Sequence, residues 1–418
     1  MALGSATTTT AAAFLKTIYK EDYQQVLYKN SPFFGLVKKI NDFTGDGTMQ
    51  FTVQYSGGQG VAGDFTNAQS NQSTTLSKRF ALTRSSLYGT GKIDGNLIRA
   101  SKNDNGALAR MLKQEQEGLT YQLKRQISNL LYGNAGGAFG QVGAISTNTI
   151  TLADPTQVVW FDVDQRINLA TTDGTSGSLE TGTMQITHVN RRTGVLTFAA
   201  NVTATIATAA VNDYLFIAGN FGQTNTMLMG LNGWIPLSDP TATTFFGVDR
   251  SVDTARLGGL RYLANAGGAI EETLINACAY FQQEGAEPDT LLMNPVDVQK
   301  LVTALAAKSV IVTPFSRNAS SSGGDGSTPE VGYSAFHLVT PMGKIEVFAD
   351  HGCPVNRAYV LQLDTWELHT MGDFPMFIEE DGMMLLRSAT ADTFEWRMLA
   401  AGNLACKAPG KNGVVQLA

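Results

Sequence analysis

The stretch "DNGALARMLKQEQEGLTYQLKRQISNLLY" (104–132) constrains the fold of this chain more than any other. Leu108, Met111, Leu112, Leu119, Leu123, Ile127, Leu130 and Leu131 recur at spacings of three and four, and the opposite face is Lys, Arg, Gln and Glu. That period predicts one amphipathic helix, about 40 Å long at 1.5 Å per residue. A single apolar stripe of that length needs a sheet or another long element beneath it. Only 16% of the 418 residues are charged, against roughly 25% in an average soluble domain. A surface so poor in charge fits burial against other subunits.

The segments on either side have distinct characters. Residues 1–50 read as an arm, interrupted at Pro32 and Gly35, whose aromatics (Phe14, Tyr19, Tyr23, Tyr28, Phe33, Phe34) need a neighbouring body or subunit to cover them. Residues 51–94 read as a long projecting hairpin. "FTVQY" alternates as a strand does, a glycine-rich stretch with almost no charge follows, and "KRFALTRSSLYGTGKID" returns. Residues 133–145 form a Gly-rich joint. Residues 146–217 hold 15 threonines and no lysine, and read as a small all-β insertion. Within it, "MQITHVNRRTGVLTF" predicts a hairpin turning at Gly194.

Mixed α/β patterning resumes over 220–345. "AIEETLINACAYFQ" places Ile270, Leu274, Cys278 and Phe281 on one helical face. "DTLLMNPVDVQKLVTAL" predicts a strand, then Asn294 as helix cap and Pro295 in the first turn. "SRNASSSGGDGSTPEVG" (316–332) is a loop by composition. Then comes a run of strands: "KIEVFA", "AYVLQLDTWELH", "MFIEE", "MMLLRSA" and "TFEWRMLAAGNLACK". This order predicts an α+β fold of two or three domains at roughly 100–200 residues each.

Charge is divided along the chain. Residues 1–140 carry a net +6 and residues 141–418 a net −12, which suggests a partner, another copy of the chain among the candidates. Cys278, Cys353 and Cys406 have no paired spacing, so they make neither a disulfide framework nor a zinc pattern, and a reducing compartment fits best. "MALGSATTTTAAAFLK" lacks a basic leader before its small apolar run, and no stretch reaches the ~20 apolar residues of a membrane helix.

Few motifs carry chemistry. "ADHGCPVN" (349–356) gathers Asp350, His351 and Cys353, the parts of a cysteine hydrolase or three metal ligands. A thiol and its base usually come from separate segments, so a strand-linking turn with Cys353 tucked inward is the bland reading beside it. "GNAGGAFG" has glycines but no following Lys-Ser/Thr. "DFTGDGT" lacks the later acidic ligands of a calcium loop. Glu379, Glu380 and Asp381 could bind a cation or a basic patch, with a solvated turn as the default. No basic stripe interleaved with aromatics marks a specific nucleic-acid binder. No cofactor, metal or catalytic site is expected.

The succession of arm, hairpin, long helix, mixed body and closing strands resembles the major capsid proteins of tailed bacteriophages, the Hong Kong 97-type fold. "GLNGWIP" (230–236), "LLMNPVDVQKL" (291–301) and "GKIEVFADHGCPVNRAYVLQLDTWELHTMG" (343–372) also look like that family. The resemblance covers about the whole chain, the 146–217 insertion excepted. It implies an N-terminal arm (1–50), an extended loop lying over a neighbouring subunit (51–94), a peripheral domain with the spine helix (95–145), an inserted β domain (146–217), an axial domain (218–369) and closing strands (370–418). It implies a structural protein that builds hexamers and pentamers of an icosahedral shell around double-stranded DNA. The resemblance further implies assembly in the host cytoplasm, with a separate scaffolding protein, a portal and a possible decoration protein. It implies that DNA is contacted non-specifically and that no membrane is involved.

The subunit contacts so implied fall on Phe14, Tyr19, Tyr23, Phe33, Phe34, Phe51, Tyr55, Phe65, Phe80, Arg84, Arg110, Lys113, Glu379 and Glu380. Some members crosslink a loop lysine to a neighbour's asparagine. Residues 51–77 contain no lysine, the first being Lys78, so stabilisation is expected to be non-covalent. Two other readings stand beside this one: another self-assembling phage protein, a tail-tube or surface-lattice subunit, and a cysteine hydrolase using Cys353 and His351.

Overall fold

A computed structural model describes residues 31–43, 47–100, 105–222, 227–264, 268–308, 336–340, 343–379, 383, 385–388 and 390–417. It begins with a short helix α1 (Pro32–Leu36), strands β1 (Lys38–Asn41) and β2 (Thr48–Ser56), helix α2 (Phe65–Ser70), strands β3 (Leu76–Thr83) and β4 (Ser85–Asp94), and helix α3 (Gly95–Ala100). The long helix α4 (Asn105–Leu130) follows. Next come β5 (Gly140–Ser146), β6 (Thr149–Leu152), β7 (Arg166–Ala170), β8 (Met184–Asn190), β9 (Val195–Phe198), a single turn α5 (Val202–Thr205), β10 (Tyr214–Ile217) and α6 (Leu231–Trp234). The remainder is β11 (Thr244–Phe245), β12 (Val248–Asp249), β13 (Leu260–Leu263), α7 (Ile270–Gln283), β14 (Thr290–Met293), α8 (Pro295–Lys308), β15 (Phe336–Thr340), β16 (Gly343–Ala349), β17 (Arg357–Leu361), β18 (Trp366–Thr370), β19 (Met376–Phe377), β20 (Leu386–Arg387), β21 (Thr393–Cys406) and β22 (Gly413–Gln416).

These elements form two compact units. One gathers the described residues up to Thr52, Arg79–Gly233 and Glu367–Ala405; the other gathers Val53–Lys78, Trp234–Trp366 and the chain from Cys406 onward.

The first unit holds a sheet and a barrel. In the sheet, β1, β18, β21 and β19 run in that order, and β4 and β20 also pair with β21. The spine helix α4 packs on β4, and a Cβ on Gly89 would sit 3.3 Å from the Leu119 side chain. Gly91 lies opposite Trp396, whose ring occupies the space a side chain at 91 would need. Leu123, Ile127 and Leu130 are buried, as the stripe requires. The barrel is closed, in the order β10-β5-β6-β9-β8-β7, and closure removes free sheet edges. Its own apolar core includes Val142, Ile150, Trp160, Phe161, Leu196 and Leu215. Asp162 ties it to α4, accepting from Arg125 and Gln122 on the helix and from Arg191, each at 2.7 Å.

The second unit is a six-stranded mixed sheet, β13-β22-β17-β14-β16-β15. Leu274, Cys278 and Phe281 of α7 and Leu301 of α8 share one core with Leu291, Met293, Val360 and Val415 of the sheet. All four residues of β14 are buried, and a strand covered on both faces reads as a continuous apolar run rather than an alternating one.

Several expectations are corrected. Pro32 and Gly35 do not break the chain but lie inside α1, because proline in the first turn loses no helix hydrogen bond. The 51–94 segment is not one hairpin: the return strand ends at Thr83, and Ser85–Asp94 leaves it for a ten-residue ladder with β21. Its loop carries a short helix, α2, which Asp64 caps by accepting from Asn67 N at 3.2 Å. The 133–145 joint is shorter than its glycines suggest, because Gly140 and Gln141 already pair with Leu215 and Tyr214 inside the barrel. "AYVLQLDTWELH" is two strands of two different sheets, divided by a 3₁₀ turn at Leu363–Thr365. "MFIEE" and "MMLLRSA" yield only two paired residues each. The 316–332 loop lies outside the described residues.

Candidate functional site

The 350–356 loop leaves β16 and enters β17. These strands are not neighbours, since β14 lies between them, so the loop crosses the end of β14. The N-terminus of α8 holds it there. Asn294 caps the helix by accepting from Val296 N at 3.0 Å, and its amide donates to Cys353 O at 2.8 Å. Asp297, fully buried, accepts from Asn356 N at 2.7 Å and from Lys300 Nζ at 2.9 Å. Lys300 also donates to Asn356 Oδ1 at 3.0 Å. Asp350, equally buried, accepts from Gly352 N at 2.9 Å. Asn356 takes a positive φ of 60°, which asparagine tolerates better than most residues.

This geometry suits a docked loop better than a nucleophile. Burial pushes the Cys353 thiol well above its ordinary range, and Asp350 and Asp297 push it further the same way. Its Sγ faces the carbonyls of Leu292 (3.8 Å) and Arg357 (3.5 Å). A reactive cysteine needs the reverse, a lowered pKa and access. Burial lowers the His351 pKa, with Asp350 opposing. Burial also pushes Cys278 and Cys406 up to about 12. Among the described residues no group of three or more His, Cys, Asp or Glu could hold a metal ion. All three thiols are therefore expected to resist a thiol reagent at neutral pH in the native protein and to react only after unfolding. Rapid labelling of Cys353 under native conditions would reopen the hydrolase reading.

The residues expected at subunit contacts divide sharply. Phe33 and Phe80 are fully buried within this chain and cannot serve as free surface. Phe33 packs on Tyr132 at 5.6 Å, and Phe80 stacks on the half-buried Phe51, also at 5.6 Å. Phe34 is half-buried near Phe374. Tyr55 is half-buried, and its carbonyl accepts from Arg256 at 2.6 Å. Arg84 is exposed and donates to the Met371 sulfur. Lys113 is exposed beside Glu117, one helical turn on. Phe65 is 79% exposed, and Glu379 is exposed. Phe14, Tyr19, Tyr23, Glu380 and the Arg110 side chain lie outside the described residues.

Sequence reasoning missed Val61 and Leu76. Val61 is 95% exposed and Leu76 47%. With Phe65 they put three large apolar side chains between the end of β2 and the first residue of β3. Their signal was an apolar residue inside a polar, glycine-rich run.

Solved structures show what this architecture is. The capsid asymmetric unit of cyanophage A-1(L) is similar over 98% of this chain and 99% of that one, with a TM-score of 0.55 at 13% identity. The capsid of a native GTA particle is similar over the full length of both chains, with a TM-score of 0.50 at 9% identity. At such identities the likeness speaks for the fold, and the fold is the α+β Hong Kong 97-type capsid fold. The family model of the SU10 major capsid protein matches residues 162–416. The chain belongs to that family, and is a major capsid protein of the tailed-phage type. No curated protein matches the sequence. The family and the two structures are of structural shell proteins, not enzymes.

Proposed function

We propose that this chain assembles into hexamers and pentamers of an icosahedral shell enclosing double-stranded DNA, and that arm and extended-loop contacts hold the shell without covalent links. The carrying observation is the exposed apolar stretch Val61, Phe65 and Leu76 on a loop without lysine between 51 and 77. Exposed apolar groups gain from being covered, at about 1.5–3 kcal/mol per fully buried side chain. A shell multiplies such contacts, so each can be weak. In this reading 1–50 is the arm, 95–145 is the peripheral domain with the spine helix, 146–217 is an outward insertion, 218–369 is the axial domain, and 370–418 supplies closing strands to the peripheral and axial domains. Assembly proceeds in the host cytoplasm with a separate scaffolding protein and a portal.

The double variant Val61→Asp/Phe65→Asp tests the loop contact. Both side chains are exposed, so the folded chain should keep its circular dichroism spectrum and melting temperature. It should sediment as small species where the wild type sediments as shells. Normal shells from the double variant would remove the loop from the account.

A further inference from the structure

Among the described strands β1 has one neighbour, β18, and it lies at the edge of the first unit's sheet. The two run parallel over four residues, with Ile40 opposite His369. Parallel pairing is slightly the weaker kind, so side chains at this edge weigh heavily. The His369 side chain is 2% exposed and has a carboxylate at each ring nitrogen. Nδ1 lies 2.7 Å from Oδ1 of Asp42, the residue just past β1. Nε2 lies 3.5 Å from Oε2 of Glu367, two residues back on β18 and so on the same face. Glu367 is buried too, and Lys38 of β1 reaches its other oxygen at 3.7 Å. The Phe43 ring meets the imidazole edge-on at 6.4 Å. Arg84 stands at the sulfur of Met371, two residues beyond His369. The other neighbour of β18, β21, has no ionisable residue from Leu399 to Ala405.

A neutral imidazole has one N–H and one lone pair. Between two carboxylates it bonds one and turns its lone pair on the other. An imidazolium donates to both. The ring is buried, so the mismatch is not masked by water. We propose that His369 is a pH-sensitive latch for strand β1: as imidazolium it joins Asp42, past β1, to Glu367 on β18, and once neutral it lets β1 fray from the sheet edge. Histidine is the side chain that changes charge between about pH 5 and 8. The proton comes on as pH falls, so β1 is held firmly at the acid end of that range and loosely at the alkaline end. Asp42 supplies the moving half of the latch and Glu367 the fixed half, since β18 is also paired with β21. The latch acts within one chain, so it is measured without shells.

The test is hydrogen–deuterium exchange of the purified full-length chain at about pH 5.5 and 8.5, corrected for the intrinsic pH dependence of exchange. The amides of Lys38–Asn41 report on β1. Their protection should fall about tenfold or more from the lower pH to the higher, the worth of one charge-assisted hydrogen bond. Protection in β21, inside the same sheet, should hold steady. Two variants are compared with the wild type. His369→Asn offers an amide donor that does not titrate, so its β1 protection should be equal at both pH values. Asp42→Asn keeps an acceptor for Nδ1 but removes one of the two charges, so its fall should be smaller than that of the wild type. Asp42 is 41% exposed, so this variant should fold even if His369→Asn does not. Equal β1 protection at both pH values in the wild type overturns the proposal. So does a fall that β21 shares, which would be a change in the whole unit. An undiminished fall in either folded variant overturns it as well, by placing the titrating group elsewhere.

Discussion

Val360→Pro should leave no folded, assembly-competent chain, whereas Cys353→Ser should assemble nearly as the wild type does. Val360 is fully buried in β17, paired with Gly413 of β22 on one side and Leu291 of β14 on the other. Proline there removes a ladder donor from a strand paired on both edges, a position it essentially never takes. The buried ladder partner left unsatisfied costs about 1–3 kcal/mol, to which the distortion of a strand held on both edges adds, set against total stabilities of about 5–15 kcal/mol. At Cys353 a serine hydroxyl can donate to the Leu292 or Arg357 carbonyl that the thiol already faces. Circular dichroism and soluble yield read the first outcome, and electron microscopy reads the second. A folded proline variant would contradict the placement of β17. A folded serine variant that forms no shells would return chemistry to the 350–356 loop.

Asn412→Ala should be the most damaging truncation of a polar side chain in the second unit. The Asn412 carboxamide is buried and uses both ends. Oδ1 accepts from Gln362 N and Trp366 Nε1, each at 2.8 Å. Nδ2 donates to Thr365 Oγ1 and Ala408 O, each at 2.9 Å. Alanine strands two buried donors at about 1–3 kcal/mol each, so about 3–5 kcal/mol should be lost in chemical denaturation. Asn412→Asp keeps the acceptor and loses the donors, so it should retain part of that stability. A loss below about 1 kcal/mol for the alanine variant would mean that water or a shifted backbone replaces these bonds.

What could be read in advance was what local chemistry controls. The α4 stripe is legible because its period sets its own conformation. The Asn294-Pro295 start of α8 is legible because capping needs only four consecutive residues, and the Gly194 turn between β8 and β9 because its φ of 68° suits glycine. The α+β capsid fold came from the order of such pieces. Partnership was not legible. Nothing in "SSLYGTGKID" says that it pairs with β21 rather than β3, since alternation sets a strand's faces and not its neighbour. The division of "AYVLQLDTWELH" was hidden for the same reason: the change of sheet happens in a three-residue turn with no glycine or proline. Among the proposed contacts, aromatic character alone could not separate buried Phe33 and Phe80 from exposed Phe65. Asn412 carries little local signal, because its partners Gln362, Thr365 and Trp366 are brought to it only by the fold.

The shell is the central claim, and negative-stain electron microscopy of the purified full-length chain tests it most directly. The account predicts closed particles of icosahedral outline, with hexameric and pentameric clusters. Tubes, flat lattices or persistent single subunits under the same conditions would contradict it.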